Sequence, residues 1–246
     1  MTMNVKPQPW PLWPTLGFST LIIGTLLGAS TAIALVAIFI VMAQTPGAEV
    51  QDFTQIAKSL ETNGLLLAIS TLVADTIGIG LIYFFVRLRR SITVPQYLGL
   101  RGISVKTFVL WHIAFLGFLV LSELSMKLFH QSDQFMVEAF TSAHHLVPLF
   151  IAVVLVGPLF EELLFRGFMI PGIARSSLGP TGAVLISSGI WAVIHLQYNL
   201  FFMGILFGFG LLLGIAQLKT RSLYLPLAMH SLNNLIAFVG AALTVR

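Results

Sequence analysis

Residues 154–170 read VLVGPLFEELLFRGFMI, a run apolar enough to span a bilayer were it not for Glu161, Glu162 and Arg166. An ionised carboxylate near a bilayer centre costs at least about 2.5 kcal/mol even on lenient insertion scales. A chain that keeps two of them side by side needs a partner for the charge, a use for it, or both.

The surroundings decide the solvent. Of 246 residues, 57% are hydrophobic and 9% charged, with a mean hydropathy of +0.95, far from an ordinary soluble domain. The fold class is therefore all-α, a polytopic transmembrane helical bundle. Spans of about 20 apolar residues fall at 16–43, 64–86, 107–127, 146–170, 180–198, 200–218 and 223–244, which gives about seven transmembrane helices with eight as the upper count. The junction at 198–200 predicts a hairpin with almost no loop. No stretch is long enough to fold as a separate soluble domain, and no internal repeat is present, so 1–246 reads as a single membrane domain.

Lys and Arg set the orientation. With the N-terminus inside, Lys6, Arg87, Arg89, Arg90, Arg101, Lys106, Arg166, Arg175, Lys219 and Arg221 lie on or near the cytoplasmic side, against Lys58, Lys127 and Arg246 outside. The net charge of +4 is thereby a topology signal, and nucleic acid is excluded as a partner. Trp10 and Trp13 are expected at headgroup level. In the outer loop 45–64, Phe53, Ile56, Ala57 and Leu60 share one helical face that can lie on the interface. Glycine pairs at four-residue spacing, Gly24 with Gly28, Gly204 with Gly208 and Gly210 with Gly214, predict close helix approach, and an oligomer contact is one use for them. The chain has no cysteine, which removes disulfides, thiolate chemistry and Cys-ligated zinc. Any nucleophile is water, Ser, Thr or a carboxylate.

The polar residues inside the spans sort by spacing. Glu162 and Arg166 are four apart and can pair along one helix, while Glu161 is rotated about 100° from its neighbour and is free to face a cavity. In WAVIH, Trp191 and His195 share a helix face, and in HSLNN so do His230 and Asn234. Counting helical rise from the basic loops puts Glu161, His195, His230 and Asn234 about 14–22 Å deep, round one pocket opening to the cytoplasmic side. Asp75 and His112 read as structural hydrogen-bonding groups, and His144 and His145 as interfacial. A carboxylate, two imidazoles and a carboxamide suit hydrolysis: Glu and His hold and deprotonate a water, His and Asn hydrogen-bond an oxyanion. Zinc on Glu161, His195 and His230 is the alternative, without an HExxH to support it.

EELLFR at 161–166, WAVIH at 191–195 and HSLNN at 230–234 together resemble, in order, the three motifs of the CAAX-protease and bacteriocin-processing (CPBP, or ABI) family of intramembrane endopeptidases. The resemblance covers residues 145–240, with Trp191 where the middle motif usually has Phe. It implies a peptidase that uses no cofactor as the leading reading. Glu161 and His195 would activate water, His230 and Asn234 would stabilise the oxyanion, and Glu162, Arg166 and Trp191 would support them. The implied substrate is a peptide or protein at the membrane, prenylated or a peptide precursor; the compact length, without extra domains, points to a prokaryotic plasma membrane as the setting. The rival readings are a non-catalytic scaffold or bacteriocin-immunity protein of the same fold, and a proton-coupled transporter using Asp75, Glu161 and the histidines.

Overall fold

The computed structural model describes residues 7–45, 47, 52–143 and 145–245. Lys6, residues 46 and 48–51 of the outer loop, His144 and Arg246 lie outside the described residues. All regular structure among the described residues is helical. In chain order the helices are α1 (Leu12–Gln44), α2 (Phe53–Leu60), α3 (Gly64–Leu88), α4 (Val94–Leu98), α5 (Val105–Leu128), α6 (Phe135–Ser142), α7 (Leu146–Ile173), α8 (Gly179–Val193), α9 (Leu200–Thr220) and α10 (Tyr224–Thr244). Six of them, α1, α3, α5, α7, α9 and α10, are long and apolar enough to cross a membrane. The protein is an integral membrane protein.

The fifth expected span differs from its prediction. α8 has 15 residues and ends at Val193, a rise of about 22 Å against a hydrocarbon core of about 30 Å. It is followed by six non-helical residues rather than a tight hairpin, and α9 starts only when Asn199 caps it through Phe202 N at 3.1 Å.

Helix α7 is not a uniform α-helix. Ile151–Val156 and Glu162–Met169 are wound as π-helix, with Gly157 N–H donating to Ala152 O and Ile170 N–H to Phe165 O. Each wide stretch stops two residues before a proline, Pro158 and Pro171. A proline ring collides with the carbonyl four residues back, and an extra residue in the turn clears that collision while keeping the remaining bonds.

The chain packs as two compact units whose boundaries fall inside helices. The first contains the chain up to Leu21, Ile79–Ser132 and Glu161–His230; the second contains Ile22–Gly78, Asp133–Phe160 and the chain from Ser231 on. In the first unit, α9 lies close along α8 because Gly210 and Gly214 leave room. A Cβ on Gly210 would stand 2.9 Å from the Ser188 Cβ, and one on Gly214 3.0 Å from Val184 Cγ1. The other predicted glycine pairs do not act this way: Gly24, Gly28 and Gly204 have nothing within 4 Å of such a Cβ, and Gly208 meets only the Phe118 ring at 3.4 Å.

One end of the first unit gathers the basic loops. Helix α4 starts on a reciprocal cap, Gln96 N donating to Thr93 Oγ1 at 3.4 Å and Thr93 N to Gln96 Oε1 at 3.3 Å. It stops at Gly99 in the left-handed region, φ 71°. Gly99 O then accepts from Leu223 N at 2.8 Å, and Arg101 O from the Ser222 hydroxyl. Trp10 is tied down: Nε1 donates to Phe85 O at 3.0 Å, and Arg89 covers the ring at 5.1 Å. Arg175 donates to Pro9 O and to Gln8 Oε1. Trp13, by contrast, is exposed.

In the second unit, Ala68, Leu149 and Ala152 form a buried cluster with Leu67, Leu72, Val153 and Phe238 packed on it. The predicted interfacial helix of the outer loop exists as α2, with Ile56, Ala57 and Leu60 half-buried and Lys58 exposed.

Candidate active site

The first unit brings together Glu161, Glu162, Arg166, Trp191, His195 and His230. Glu162 and Arg166 sit in the wide turn of α7, both fully buried, with Arg166 Nη1 2.9 Å from Glu162 Oε1 as their spacing predicts. Arg166 Nη2 reaches Gly210 O at 3.4 Å, and its guanidinium lies 4.7 Å over the Trp191 ring. Gly210 thus meets α8 through its missing side chain and this arginine through its carbonyl. Glu162 Oε2 and Arg166 Nε have no hydrogen-bond partner among the described residues, so the pair is held at a desolvation cost that a purely structural element would avoid with apolar side chains.

Glu161 faces differently, as the rotation along the helix predicts. Its Oε2 accepts from Trp191 Nε1 at 2.5 Å. Its Oε1 is 4.0 Å from His195 Nε2, and Oε2 is 3.8 Å from His230 Nε2. The Glu161 and His195 side chains are 20% and 17% exposed, against 0% for Glu162 and Arg166.

Hydrogen bonding fixes the tautomers. His195 Nδ1 is 2.7 Å from Trp191 O, and a carbonyl only accepts, so Nδ1 carries a proton and Nε2 of the neutral ring presents a lone pair toward Glu161. His230 Nδ1 is 2.9 Å from Glu162 Oε1, a carboxylate oxygen already claimed by Arg166, so this Nδ1 also donates. The His230 ring stands edge-on to Trp191 and Phe209, at centroid distances of 5.4 and 5.9 Å. Trp191 therefore acts on four groups: its N–H on Glu161, its carbonyl on His195 and its ring on His230 and Arg166. Its position beside His195 was legible from WAVIH; its bond to Glu161 was not, because nothing in the spacing relates residues 161 and 191.

Asn234 belongs to the second unit. Its Nδ2 donates to Val153 O at 2.8 Å, and its Oδ1 accepts from Asn233 Nδ2 at 3.2 Å. The partner is explained by the wide turn. With Gly157 N–H on Ala152 O, the next donor in register for Val153 O would come from Pro158, which has none.

At the basic end Tyr97 stacks on Phe168 at 5.5 Å, and Leu98, Leu223 and Leu225 are buried with them. The count of helical rise for His195 took α8 as helical through that residue, whereas His195 lies beyond the end of the helix. Asp75 is nearly buried in the second unit, and His112 bonds Phe108 O at 2.9 Å beside the Phe108 ring.

The zinc alternative on Glu161, His195 and His230 does not fit this arrangement. Among the described residues no group of three or more His, Cys, Asp or Glu side chains is disposed to hold a metal ion, and Glu161 Oε2 is engaged by the indole N–H.

The first unit thus sets a buried ion pair behind a carboxylate and two oriented imidazoles. The family model described as type II CAAX prenyl endopeptidase Rce1-like matches residues 143–236. This part of the chain is similar to that family, in agreement with the resemblance carried by the three motifs. No curated protein and no solved structure matches the chain.

Proposed function

We propose that the protein is an intramembrane endopeptidase in which Glu161 and His195 activate a water for attack on a peptide carbonyl. The observation that carries the reading is the 4.0 Å separation of Glu161 Oε1 and His195 Nε2. Two acceptors at that distance can each take a proton of one water at about 2.8 Å, which leaves a lone pair of the water free to attack. Glu161 takes the proton as the water oxygen bonds to the carbonyl carbon, and the carbonyl π electrons move onto oxygen. Collapse of the tetrahedral intermediate breaks the C–N bond, and the proton passes from Glu161 to the departing amine.

His230 has one way to hold the oxyanion. Its Nδ1–H serves Glu162, so Nε2 donates only when the ring carries both protons. With that ring, Glu161, Glu162, Arg166 and His230 sum to zero charge before attack, and once Glu161 has taken the proton the oxyanion keeps the total at zero, which suits a site inside a bilayer. The motif pairs Asn234 with His230 in this role; one of the two Nδ2 protons is already on Val153 O, and the other is what Asn234 has to offer. The substrate is a peptide or protein segment at the membrane, with a prenylated chain or a peptide precursor as the two classes to compare. The basic end belongs on the cytoplasmic side of a prokaryotic plasma membrane. A scaffold of the same fold would have no use for oriented imidazoles against Glu161, and a transporter would need the polar path to continue through the packed basic end.

The test is cleavage of a quenched-fluorescence peptide library by the detergent-purified protein beside Glu161→Ala and His195→Ala. Activity in the intact protein, reduced at least about 100-fold in both variants, is expected. Activity that survives in both overturns the assignment.

A further inference from the structure

Three arginines stand at the end of α3, in RLRR at 87–90, and the first unit uses them differently. Arg89 is turned inward: its Nε donates to Gln8 O at 3.0 Å, and its guanidinium lies over the Trp10 ring. Arg87 and Arg90 are exposed and line a cavity of about 880 Å³ together with Pro7, Tyr83, Ser91 and residues 92–96. Arg87 lies 5.9 Å over the Tyr83 ring, and neither it nor Arg90 forms an ion pair among the described residues. The chain nearby has no carboxylate to offer, since residues 76–122 contain no Asp or Glu. The carboxylates of the first unit are engaged elsewhere: Glu123 with Lys127 at 3.2 Å, Glu162 with Arg166, and Glu161 with Trp191.

The walls of this cavity are fixed. On one side Thr93 and Gln96 bond each other's backbone N–H, and Tyr97 and Leu98 of the same helix α4 are buried, with Tyr97 stacked on Phe168. On the other, the bond from Arg89 to Gln8 holds the segment that contains Pro7 against the end of α3. An arginine that only sets topology needs to be in the loop, and needs no preformed cavity around it. The depth is also defined. The 25 residues of α3 rise about 37 Å against a hydrocarbon core of about 30 Å, which brings Arg87 and Arg90 to headgroup level. Phe84 and Leu88, one position on from Tyr83 and Arg87, are 53% and 49% exposed.

We propose that this cavity binds the phosphate of an anionic phospholipid. The two guanidiniums present paired N–H donors to phosphate oxygens. Ser91 has a hydroxyl to add, and Thr93, whose Oγ1 accepts from Gln96 N, keeps its O–H as a donor. The acyl chains run down the exposed Phe84 and Leu88 side of α3, which a soluble phosphate has no means to use. A zwitterionic headgroup brings its own cation to the two arginines and is disfavoured. The site is distinct from Glu161 and His195 and does not rest on the peptidase reading.

The test is native mass spectrometry of the full chain in detergent with phosphatidylglycerol or phosphatidylcholine of the same acyl chains. Preferential binding of phosphatidylglycerol is expected, weakened about 30-fold by Arg87→Gln with Arg90→Gln. Lys106→Gln with Lys219→Gln removes the same charge from other basic positions of the first unit and is expected to leave it unchanged. No loss in the arginine pair, or equal loss in both pairs, overturns the site. Inorganic phosphate at the lipid concentration is expected to leave phosphatidylglycerol bound; displacement by it makes a soluble phosphate the occupant and overturns the lipid. If the arginine pair does not accumulate, Ser91→Asp keeps both arginines and sets a carboxylate in the cavity. A weakening of about fivefold is then expected, and unchanged binding overturns the proposal.

Discussion

At the scale of single residues, Trp191 is the side chain through which the others are oriented. Its indole N–H holds the carboxylate expected to take the proton from water, at 2.5 Å. Trp191→Phe keeps an aromatic ring, and the usual residue of the motif, while removing that donor. A hydrogen bond to a charged group contributes about 1.5–3 kcal/mol, so kcat is expected to fall by about 10- to 150-fold with KM little changed, measured by steady-state cleavage. A fall confined to KM would place Trp191 in substrate binding instead. The pairing of Glu162 with Arg166 was legible in the sequence because helix neighbours four apart need no tertiary information. The contact of His230 with Glu162 was not, since it joins side chains 68 positions apart.

At the scale of elements, the two wide turns of α7 show how proline is accommodated at a price that other side chains meet. Val153 O lacks its helical donor because of Pro158 and takes one from Asn234. Asn234→Ala is expected to lower stability by about 1–3 kcal/mol through an unsatisfied buried carbonyl. In a Pro158→Ala background, which restores a backbone N–H, most of that loss is expected to disappear. Chemical unfolding in detergent of the two single variants and the double variant measures the coupling, and strict additivity would reject the explanation. The prolines were visible in the sequence, yet hydropathy patterning assigns one smooth span to α7 because a π turn changes neither composition nor apolar length. The same limit explains α8: the apolar run continues to residue 198, while the helix ends at Val193. Apolar length bounds a helix from above and does not locate its end.

At the scale of the whole molecule, the clustering of Lys and Arg in a few loops was legible in the sequence, and the structure adds how side chains at the basic end of the first unit pack. Tyr97, in the short helix α4 outside the spanning segments, accepts from Trp10 N at 3.3 Å and is buried. That burial pushes its phenol well up, against smaller opposing effects of Trp10, Thr15, Arg89 and Arg175. The folded state thus holds the phenolic proton more tightly than the unfolded chain, where it leaves near about pH 10. The contribution is complete below that pH and is lost as pH rises above it. Thermal unfolding in detergent is expected to show a decline above about pH 10 that Tyr97→Phe flattens. An unchanged alkaline slope in that variant would mean that other groups govern it.

The shortness of α8 has a consequence for the lipid as well as for the protein. A rise of about 22 Å beside a hydrocarbon layer of about 30 Å is a hydrophobic mismatch. Bilayers answer such a mismatch by thinning locally, at a cost of a fraction of a kcal/mol for each Å. The six residues after Val193, His195 among them, would then sit at the rim of a dimple, and acyl-chain length becomes a variable that acts on the connection between α8 and α9.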